Sequence, residues 1–396
     1  MDSVNAATLS RLSEAFTPHK PIDLPDLLSG RTDLLMRGLD AINTEGLHVL
    51  LFGDRGTGKT SLARVLGFLA QDDGPKGRRV LMVSCNSGDT FTSIWRRVFQ
   101  EVVVAERQLG FSMGERELAT HRMADFDGTD PNDVRLMLQS FPNRTVVVID
   151  EFDRVPTEGD ARRLMADTVK LLSDTGSAAT VVLVGVADSV AELVAEHHSI
   201  SRNIATIQVE TMTRAELAGI VSKGYEKVGF DFESALPDVI AKLSQGYPHY
   251  THLLGLWAGR RALAQGRATV TCDDLELAIP EALRNAAGNV QQEYEVAVAS
   301  TQPGNLFDEV LLACALAQKD SLGRFSTVDV RGPLRDIAGR DVQIGGYQSH
   351  LAKFCQAERG PILKKSGSKR NYRWRFIDPQ VIPYINIHGK QEDLLH

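Results

Sequence analysis

Short apolar runs alternate with longer amphipathic segments over the first 210 residues of the chain. Strands interleaved with helices in this way predict a parallel α/β sheet that carries helices on both faces. The predicted strands are His48–Phe52, Arg79–Ser84, Thr145–Ile149 and Thr180–Val184. The polar stretch Glu106–Asn132 shows no periodicity, and we interpret it as an insertion or a long loop.

A purely helical pattern replaces this alternation between Thr213 and about Ala287. Thr213 is a predicted helix N-cap, Gly229 is a predicted helix stop, and Thr271 opens a further helix. The next segment, Asn285–Gln302, is polar and is interpreted as a connection. Short helices and two short strands are predicted after it, so the chain divides into three blocks.

Composition excludes several classes of protein. Apolar residues make up 43% and charged residues 24% of the chain, as in soluble globular proteins, so wholesale disorder is excluded. The apolar runs fall far short of the ~20 residues that span a bilayer, and no leader-like pattern follows Met1. The cysteines Cys85, Cys272, Cys314 and Cys355 lie too far apart for a disulfide framework or a zinc knuckle. We therefore expect a cytoplasmic protein without membrane contact.

The charge of the chain is unevenly distributed. Net charge is −7, which argues against a general nucleic-acid coat. From Thr301 to His396, however, 14 Lys and Arg stand against 10 Asp and Glu, which leaves −11 for the residues before them. An acidic body with a basic end suggests a polyanionic partner for that end.

A phosphate-binding motif follows the first predicted strand. The residues from Gly53 to Thr60 fit the pattern G-x-x-x-x-G-K-[ST], between the strand and a helix-like segment. Glycines let backbone N–H groups reach phosphates, Lys59 would contact the β- and γ-phosphates, and Thr60 would ligate Mg²⁺. The residues predicted to bind nucleotide here are Gly53, Asp54, Arg55, Gly56, Thr57, Gly58, Lys59, Thr60 and Ser61.

Two adjacent carboxylates end the third predicted strand. The strand would deliver Asp150 to its carboxyl edge, where this side chain could hold Mg²⁺, while Glu151 polarised the attacking water. An acidic turn is the alternative interpretation of this pair. The phosphate-binding motif upstream favours an ATP site, with ATP and Mg²⁺ as the expected cofactors.

With these motifs the chain resembles the AAA+ ATPases, and more narrowly the initiator type related to origin-recognition, replication-initiator and transposon target-selection ATPases. In that family a segment similar to Leu28–Arg31 precedes the sheet beside the adenine pocket, although a simple turn is equally consistent with these residues. The first sensor falls at Asp188, where the family usually has Asn, Ser or Thr, so slow hydrolysis is expected. Arg202 corresponds to the family's arginine finger, with the capping of a helix end as the alternative.

The helical block resembles the family's lid domain. His249, in Gly246-Tyr247-Pro248-His249, stands where the family has its second-sensor arginine, and so joins the predicted nucleotide-binding residues. A neutral imidazole cannot clamp a phosphate as a guanidinium does. The Gly-x-Pro pattern is also similar to that of STAND signalling ATPases, which provides a rival hypothesis.

The basic C-terminal block is predicted to be a winged helix. Helices over Leu306–Ala317, Ser326–Ile337 and Tyr347–Glu358 precede a two-stranded hairpin, an order that initiator-type AAA+ proteins share. The hairpin carries six cations and no acid between Pro361 and Phe376. The predicted DNA-binding residues are Gln348, Lys353, Lys364, Lys365, Lys369, Arg370, Arg373 and Arg375. A charged solvent-facing hairpin, or a module that docks protein, is the alternative.

These patterns together predict a P-loop NTPase sheet with a helical lid, followed by a winged-helix domain. The predicted domains are residues 1–21 as an N-terminal extension, 22–210 as the AAA+ base, 211–287 as the lid, 288–302 as a connector, 303–386 as the winged helix and 387–396 as a tail. The predicted function is an ATP hydrolase that forms a ring or filament and binds double-stranded DNA. A transposase, nuclease or replication protein is the partner class suggested, and a signalling or anti-phage defence ATPase is the rival.

Overall fold

The computed structural model describes residues 3–21, 30–72, 77–108, 126–186, 202–301, 305–320, 322–368 and 371–394. The chain forms two compact units. One unit, the base, is Pro21–Glu210. The second unit combines Met1–Lys20 with Thr211–His396. The chain therefore passes from one unit to the other twice.

A parallel sheet of five strands forms the centre of the base, in the order β2-β3-β4-β1-β5. Its strands are β1 (His48–Phe52), β2 (Arg79–Ser84), β3 (Thr145–Asp150), β4 (Ala179–Gly185) and β5 (Ile204–Gln208). The described helices of the base are α2 (Thr32–Asn43), α3 (Lys59–Ala70), α4 (Phe91–Gln108), α5 (Pro131–Gln139) and α6 (Ala161–Asp174). The predicted α/β sheet and its four predicted strands are confirmed.

Alternate residues of β3 face opposite sides of this sheet. Val147 and Ile149 pack with α4, α5 and α6, whereas Val146 and Val148 pack with α2 and α3. All of β3 is buried. A strand covered on both faces is apolar at every position, which is why the sequence shows continuous runs here.

The lid consists of four helices and two short paired strands. Its elements are α7 (Arg214–Val228), β6 (Asp231–Phe232), α8 (Leu236–Ser244), α9 (Pro248–Ala264), β7 (Thr269–Val270) and α10 (Cys272–Arg284). Thr213 and Thr271 each form a capping box, with Glu216 and Asp274 respectively, and Gly229 ends α7 in the left-handed conformation. These caps confirm the helix boundaries that the sequence predicted.

The N-terminal extension forms helix α1 (Ser3–Ala15), which packs against α7 and α9 of the lid. Phe16 is fully buried, and a Cβ on Gly224 or Gly255 would overlap its ring. Glycines on two lid helices therefore form the cavity that the Phe16 ring fills. The sequence alone did not show where residues 1–21 would pack.

The C-terminal module follows the lid with helices and a small antiparallel sheet in the order β8-β10-β9. Its elements are α11 (Gly288–Val298), α12 (Phe307–Leu316), β8 (Phe325–Ser326), α13 (Arg331–Ala338), α14 (Ile344–Lys353), β9 (Leu363–Ser366), β10 (Arg373–Phe376) and α15 (Val381–Gln391), with 3-10 turns at Val328–Val330 and Ala357–Arg359. A further 3-10 turn, Phe152–Arg154, belongs to the base. The hairpin was predicted, whereas β8 was not, because two residues carry no readable alternation.

Four other predictions need correction. The connector contains α11, which buries Val290 and Tyr294 at helical spacing. The third predicted helix, Tyr347–Glu358, is displaced towards its N-terminus, since α14 ends at Lys353. The predicted tail begins inside α15, whose residue Ile387 is buried.

The fourth correction concerns the aperiodic stretch Glu106–Asn132. Its first residues complete helix α4, which ends at Gln108, and α5 begins at Pro131. Residues 109–125 lie outside the described residues. Separately, none of the described helices combines the length and apolar character needed to cross a lipid bilayer.

Candidate functional site

The phosphate loop turns sharply from β1 into α3 at the carboxyl edge of the sheet. A Cβ on Gly53 would collide with the carbonyl oxygen of Val209, so only glycine fits there. Gly58 precedes Lys59 with φ 88°, a left-handed conformation that glycine adopts without strain. Within the loop the hydroxyl of Thr57 donates to Asp54 O at 2.9 Å. The predicted loop residues therefore form one turn before the N-terminus of a helix, a site suited to phosphate.

Lys59 holds the loop by its carbonyl groups. Its Nζ donates to Gly53 O at 3.0 Å and to Asp54 O at 2.7 Å. Burial lowers the pKa of Lys59, and the nearby carboxylates, of which Asp153 contributes most, partly oppose this. A nearby anion stabilises a partly desolvated ammonium ion, and a bound phosphate would supply that negative charge.

Asp150 and Thr60 bring the two predicted motifs together. Thr60 lies beside the carboxyl group of Asp150, and the backbone N–H of Glu151 donates to Asp150 Oδ1 at 2.8 Å. Asp150 is buried, and burial raises its pKa while the polar groups of Thr60 and Glu151 oppose the shift. A hydroxyl and a carboxylate side by side are oxygen donors of the kind that Mg²⁺ prefers, so the residues fit the metal.

Glu151 lies directly after β3 in a left-handed conformation with φ 53°. A non-glycine residue is strained there and persists because its surroundings hold it. Its Oε2 accepts from Arg154 Nη1 at 2.9 Å, across the 3-10 turn Phe152–Arg154. Arg162 braces the same turn by donating from Nη2 to Asp153 O at 3.0 Å and to Val155 O at 2.7 Å. Glu151 therefore has a defined position beside Asp150.

Arg202 is exposed, two residues before β5. Because β5 pairs in parallel with β1, in the register His48 to Ile204 and Phe52 to Gln208, Arg202 lies at the edge of the sheet opposite to the phosphate loop. A five-residue strand is about 17 Å long, so Arg202 cannot reach the loop of its own chain. Asp188, the predicted first sensor, lies outside the described residues.

His249 lies in the first turn of α9 and is engaged with the N-terminal segment. Its Nδ1–H donates to Pro18 O at 2.6 Å. Burial lowers the pKa of His249, so its neutral form is favoured. Only its Nε2 remains to meet a ligand, as a weaker contact than a guanidinium would make.

The cations of the hairpin divide between two faces of the small sheet. Arg375 pairs with Lys364 and Arg373 pairs with Ser366, so Lys364, Arg373 and Arg375 share one face, which we call the cationic face. Lys365 pairs with the buried Trp374 on the other face, and its Nζ lies 3.5 Å from the centre of the Tyr372 ring. Lys369 and Arg370 lie outside the described residues.

The two DNA-contact residues predicted on the third helix are both exposed. Gln348 lies on the exposed surface of α14. Lys353 ends that helix, and its Nζ lies 5.6 Å from the centre of the Phe307 ring. The structure thus directs Lys353 towards α12, while Gln348 remains available to a groove.

Two arginines that touch the site were missed by the sequence interpretation. Arg154 pairs with Glu151, and Arg31 donates to the carbonyl oxygens of Thr57 and Glu210. Arg154 could have been considered because it stands three residues after Glu151, a spacing typical of paired side chains in a helical turn. Arg31 ends the segment Leu28–Arg31 that the family resemblance placed beside the adenine pocket, but its contacts join residues far apart in sequence and no local pattern predicted them.

Comparison with known proteins identifies a family. A family model described as Novel STAND NTPase 1 matches residues 22–301, which is more than half of the chain. No curated protein sequence matches the chain.

Solved structures resemble the chain in fold. One is a Walker-type ATPase of Pyrococcus abyssi, at 16% identity and a TM-score of 0.53, covering 94% of this chain and 99% of that chain. Another is the ORC2 protein of Aeropyrum pernix in its ADPNP–ADP complexes, at 14% identity and a TM-score of 0.51, covering 96% of this chain and 98% of that chain. At such identities the similarity shows the fold alone.

Proposed function

The chain belongs to the novel STAND NTPase 1 family, and we propose that it is an ATP-controlled switch whose C-terminal module binds double-stranded DNA. Family and fold make it a P-loop NTPase of the AAA+ type. Beyond that class, the chain is proposed to hydrolyse ATP, to assemble with copies of itself and to bind DNA as its output. The observation that carries this proposal is the position of the two motifs, since the phosphate loop follows β1 and the Asp150–Glu151 pair follows β3 at the same carboxyl edge of one parallel sheet.

ATP is proposed to bind with its phosphates on the N–H groups of residues 53–60. Lys59 transfers its ammonium from the carbonyls of Gly53 and Asp54 to the β- and γ-phosphates. Thr60 and Asp150 hold Mg²⁺, which supplies neutralisation of the phosphate charge when it is bound. Glu151 accepts the proton of the attacking water as a general base.

Assembly of identical chains is proposed to complete the site. Arg202 is exposed at the edge of the sheet opposite to its own phosphate loop, a position from which it can serve only a neighbouring chain. A guanidinium placed on the γ-phosphate stabilises the charge of the transition state. A ring or filament of copies follows, because each chain then needs the next.

The C-terminal module is proposed to be a winged helix. The order α12, β8, α13, α14, β9 and β10 supports this assignment, since it places a hairpin after a helix-turn-helix unit. Lys364 and Arg375 stand directly opposite each other on the cationic face. Cations carried on one face of a hairpin can contact the phosphates of a DNA backbone.

Helix α15 provides the link between nucleotide and DNA. Asn386 Nδ2 donates to Leu243 O of the lid at 3.3 Å, and Lys390 pairs with Glu276 at 3.1 Å. Lid and module belong to the same compact unit. A lid that responds to ATP therefore moves the module with it. ATP can then strengthen DNA binding only to the extent that the DNA-binding state of the chain binds ATP more tightly than the other state does.

A second candidate is a signalling or anti-phage defence ATPase whose C-terminal module binds a protein. Family membership favours this candidate, since STAND ATPases are the signalling class that the Gly246-Tyr247-Pro248 pattern resembles. The two candidates share the nucleotide site and differ in the partner of the cationic face. DNA binding therefore decides between them.

Calorimetry tests the nucleotide site. Wild type titrated with ATP and Mg²⁺ should release or absorb heat with a saturable profile, and Lys59→Ala should lose it. Lys170→Ala, which removes an exposed lysine of α6, is the matched control and should bind as wild type does. Equal ATP affinity of the Lys59 and Lys170 variants would remove the assignment of the loop.

A mobility-shift assay with non-specific duplex tests the output. Binding should weaken as salt rises, because phosphate contacts release counterions, and should strengthen with ATP. Duplex binding that is absent at low salt in the presence of ATP would favour the protein partner instead.

A further inference from the structure

Arg31 occupies a strained position at the start of α2. Its φ of 62° is left-handed, and it follows Gly30, which is also left-handed with φ 67°. A non-glycine residue adopts this conformation at a cost in free energy and keeps it where other contacts hold it. At Arg31 those contacts are made by the guanidinium group.

The guanidinium of Arg31 bridges two distant parts of the base. Nη1 donates to Thr57 O at 2.6 Å, and Nη2 donates to Glu210 O at 2.7 Å. The planar fork of an arginine presents several N–H donors in a fixed geometry, so its two terminal nitrogens can satisfy two carbonyl oxygens at once. Arg31 thus joins the phosphate loop to the last residue of the base.

The phosphate loop contacts the end of the base at a second place. Gly53 lies so close to Val209 that a Cβ would collide with the Val209 carbonyl. The N–H of Val209 donates to Phe52 O at 2.6 Å, directly before the loop. Residues 209 and 210 are therefore tied to the loop region at two places, directly through Phe52 and by way of Arg31 through Thr57.

The chain leaves the base between Glu210 and Thr211, which we call the hinge. On the far side of the hinge, Met212 N donates to Gly246 O at 2.9 Å. A Cβ on Gly246 would lie 2.7 Å from Thr211 Cβ, so the first lid residues are packed against the Gly246 turn. Each side of the hinge is therefore held by contacts within its own unit.

We propose that Arg31 is a positioning residue that couples occupation of the phosphate loop to the hinge. This inference rests on the proposed nucleotide binding. When Lys59 leaves the carbonyls of Gly53 and Asp54 for a phosphate, the loop around Thr57 loses internal hydrogen bonds and adjusts. Arg31 transmits that adjustment to Glu210, because the same guanidinium holds both carbonyl groups.

Hydrogen exchange of the full chain, with and without Mg²⁺ and a slowly hydrolysed ATP analogue, tests the coupling. Two segments are measured: residues 53–61, which report nucleotide binding, and residues 209–213, which report the hinge. Wild type should change in both segments. Arg31→Ala should keep the change in the loop and lose most of the change at the hinge, by several-fold in exchange rate.

Two further variants sharpen the test. Arg31→Met keeps most of the side-chain volume but has no hydrogen-bond donor, so it should resemble Arg31→Ala and serves if the alanine variant folds poorly. Arg37→Ala is the matched control, because Arg37 lies on α2, the helix that Arg31 precedes, and donates to Thr206 O of β5 at 3.2 Å rather than to the loop. It should respond as wild type does.

The outcomes separate the coupling from the function. If both Arg31 variants respond at the hinge as strongly as wild type does, the coupling is overturned. It is also overturned if the variants lose the response of the loop together with that of the hinge. A wild type that changes in the loop but not at the hinge also overturns it, while leaving nucleotide binding intact. A wild type that changes in neither segment refutes the proposed function itself.

Discussion

Glu151 and Arg154 form an ion pair of 2.9 Å across one turn of the segment that follows β3. Their side chains are 47% and 49% exposed, so the pair is worth at most about 1 kcal/mol in water. The paired oxygen, Oε2, must leave this partner before it can accept a proton from water. The pair therefore restrains Glu151 weakly in the resting arrangement.

We predict that Arg154→Ala raises the turnover of ATP two- to five-fold at low salt, because about 1 kcal/mol is at most a factor of about five. The difference in turnover between the variant and wild type should vanish in high salt, because salt screens the ion pair of wild type. Steady-state ATPase assays measure it. Arg163→Ala, which breaks the similarly exposed pair with Asp160, should change nothing. Turnover that falls in Arg154→Ala would mean that the arginine assists the reaction.

We predict that Glu151→Gln binds ATP as wild type does and hydrolyses it at least about 100-fold more slowly, because an amide cannot accept the proton of water. Calorimetry and phosphate release measure the two properties separately. Glu158→Gln, an exposed position nearby, is the control. Undiminished phosphate release in Glu151→Gln would assign the general base to another residue.

We predict that Arg202→Ala and Lys59→Ala, each inactive alone, recover ATPase activity when mixed. In a mixed assembly the Lys59 variant supplies Arg202 to the intact phosphate loop of its neighbour. The expectation follows from the position of Arg202 at the opposite edge of the sheet from its own loop. A mixture that stays as inactive as its components would place the action of Arg202 elsewhere.

We predict that Lys364→Gln combined with Arg373→Gln weakens duplex binding and makes it less dependent on salt. Two lost phosphate contacts reduce the slope of log affinity against log salt by about 1.8. Titrations at four salt concentrations measure the slope. The control removes two exposed lysines of the lid, Lys223 and Lys227, in the same way and should leave the slope unchanged.

We predict that acid destabilises the lid through His252. Burial lowers its pKa from 6.5 to about 4, and its Nδ1 accepts from Thr17 N at 3.3 Å. A histidine whose pKa is lower in the folded chain than in the unfolded chain binds a proton first in the unfolded chain. Its contribution to the free energy of unfolding is therefore complete above pH 6.5 and is lost as pH falls towards 4.

The variant His252→Asn keeps an acceptor for Thr17 and cannot titrate. Its free energy of unfolding should fall by about 2 kcal/mol less than that of wild type between pH 7 and pH 5. Urea unfolding at pH 5, 7 and 8 measures this, and the two proteins should show equal changes between pH 7 and pH 8. The same loss at pH 5 in both proteins would mean that other groups account for the acid effect.

Features carried by neighbouring residues were predicted well. The phosphate loop and the Asp150–Glu151 pair are short motifs placed directly after buried strands, and their chemistry follows from residue order. Helix boundaries at Thr213, Gly229 and Thr271 were predicted for the same reason, because a cap acts over three or four residues.

Features that depend on distant contacts were not predicted. Helix α1 packs on the lid because Gly224 and Gly255, more than 200 residues later, leave space for Phe16. The connector and the tail seemed polar or terminal, yet both contain helices, because other helices of the second unit cover Tyr294 and Ile387.

By itself, the sequence determined the parallel sheet, its phosphate loop and its acidic pair, since apolar periodicity and motif spacing act over a few residues. Only the tertiary structure decided that Lys365 lies on the face opposite to the cationic face, against an aromatic ring, and that Arg31 connects Thr57 to Glu210. The physical reason is one of range. Strand register and carbonyl partners are set by the packing of whole elements, and no local pattern records them.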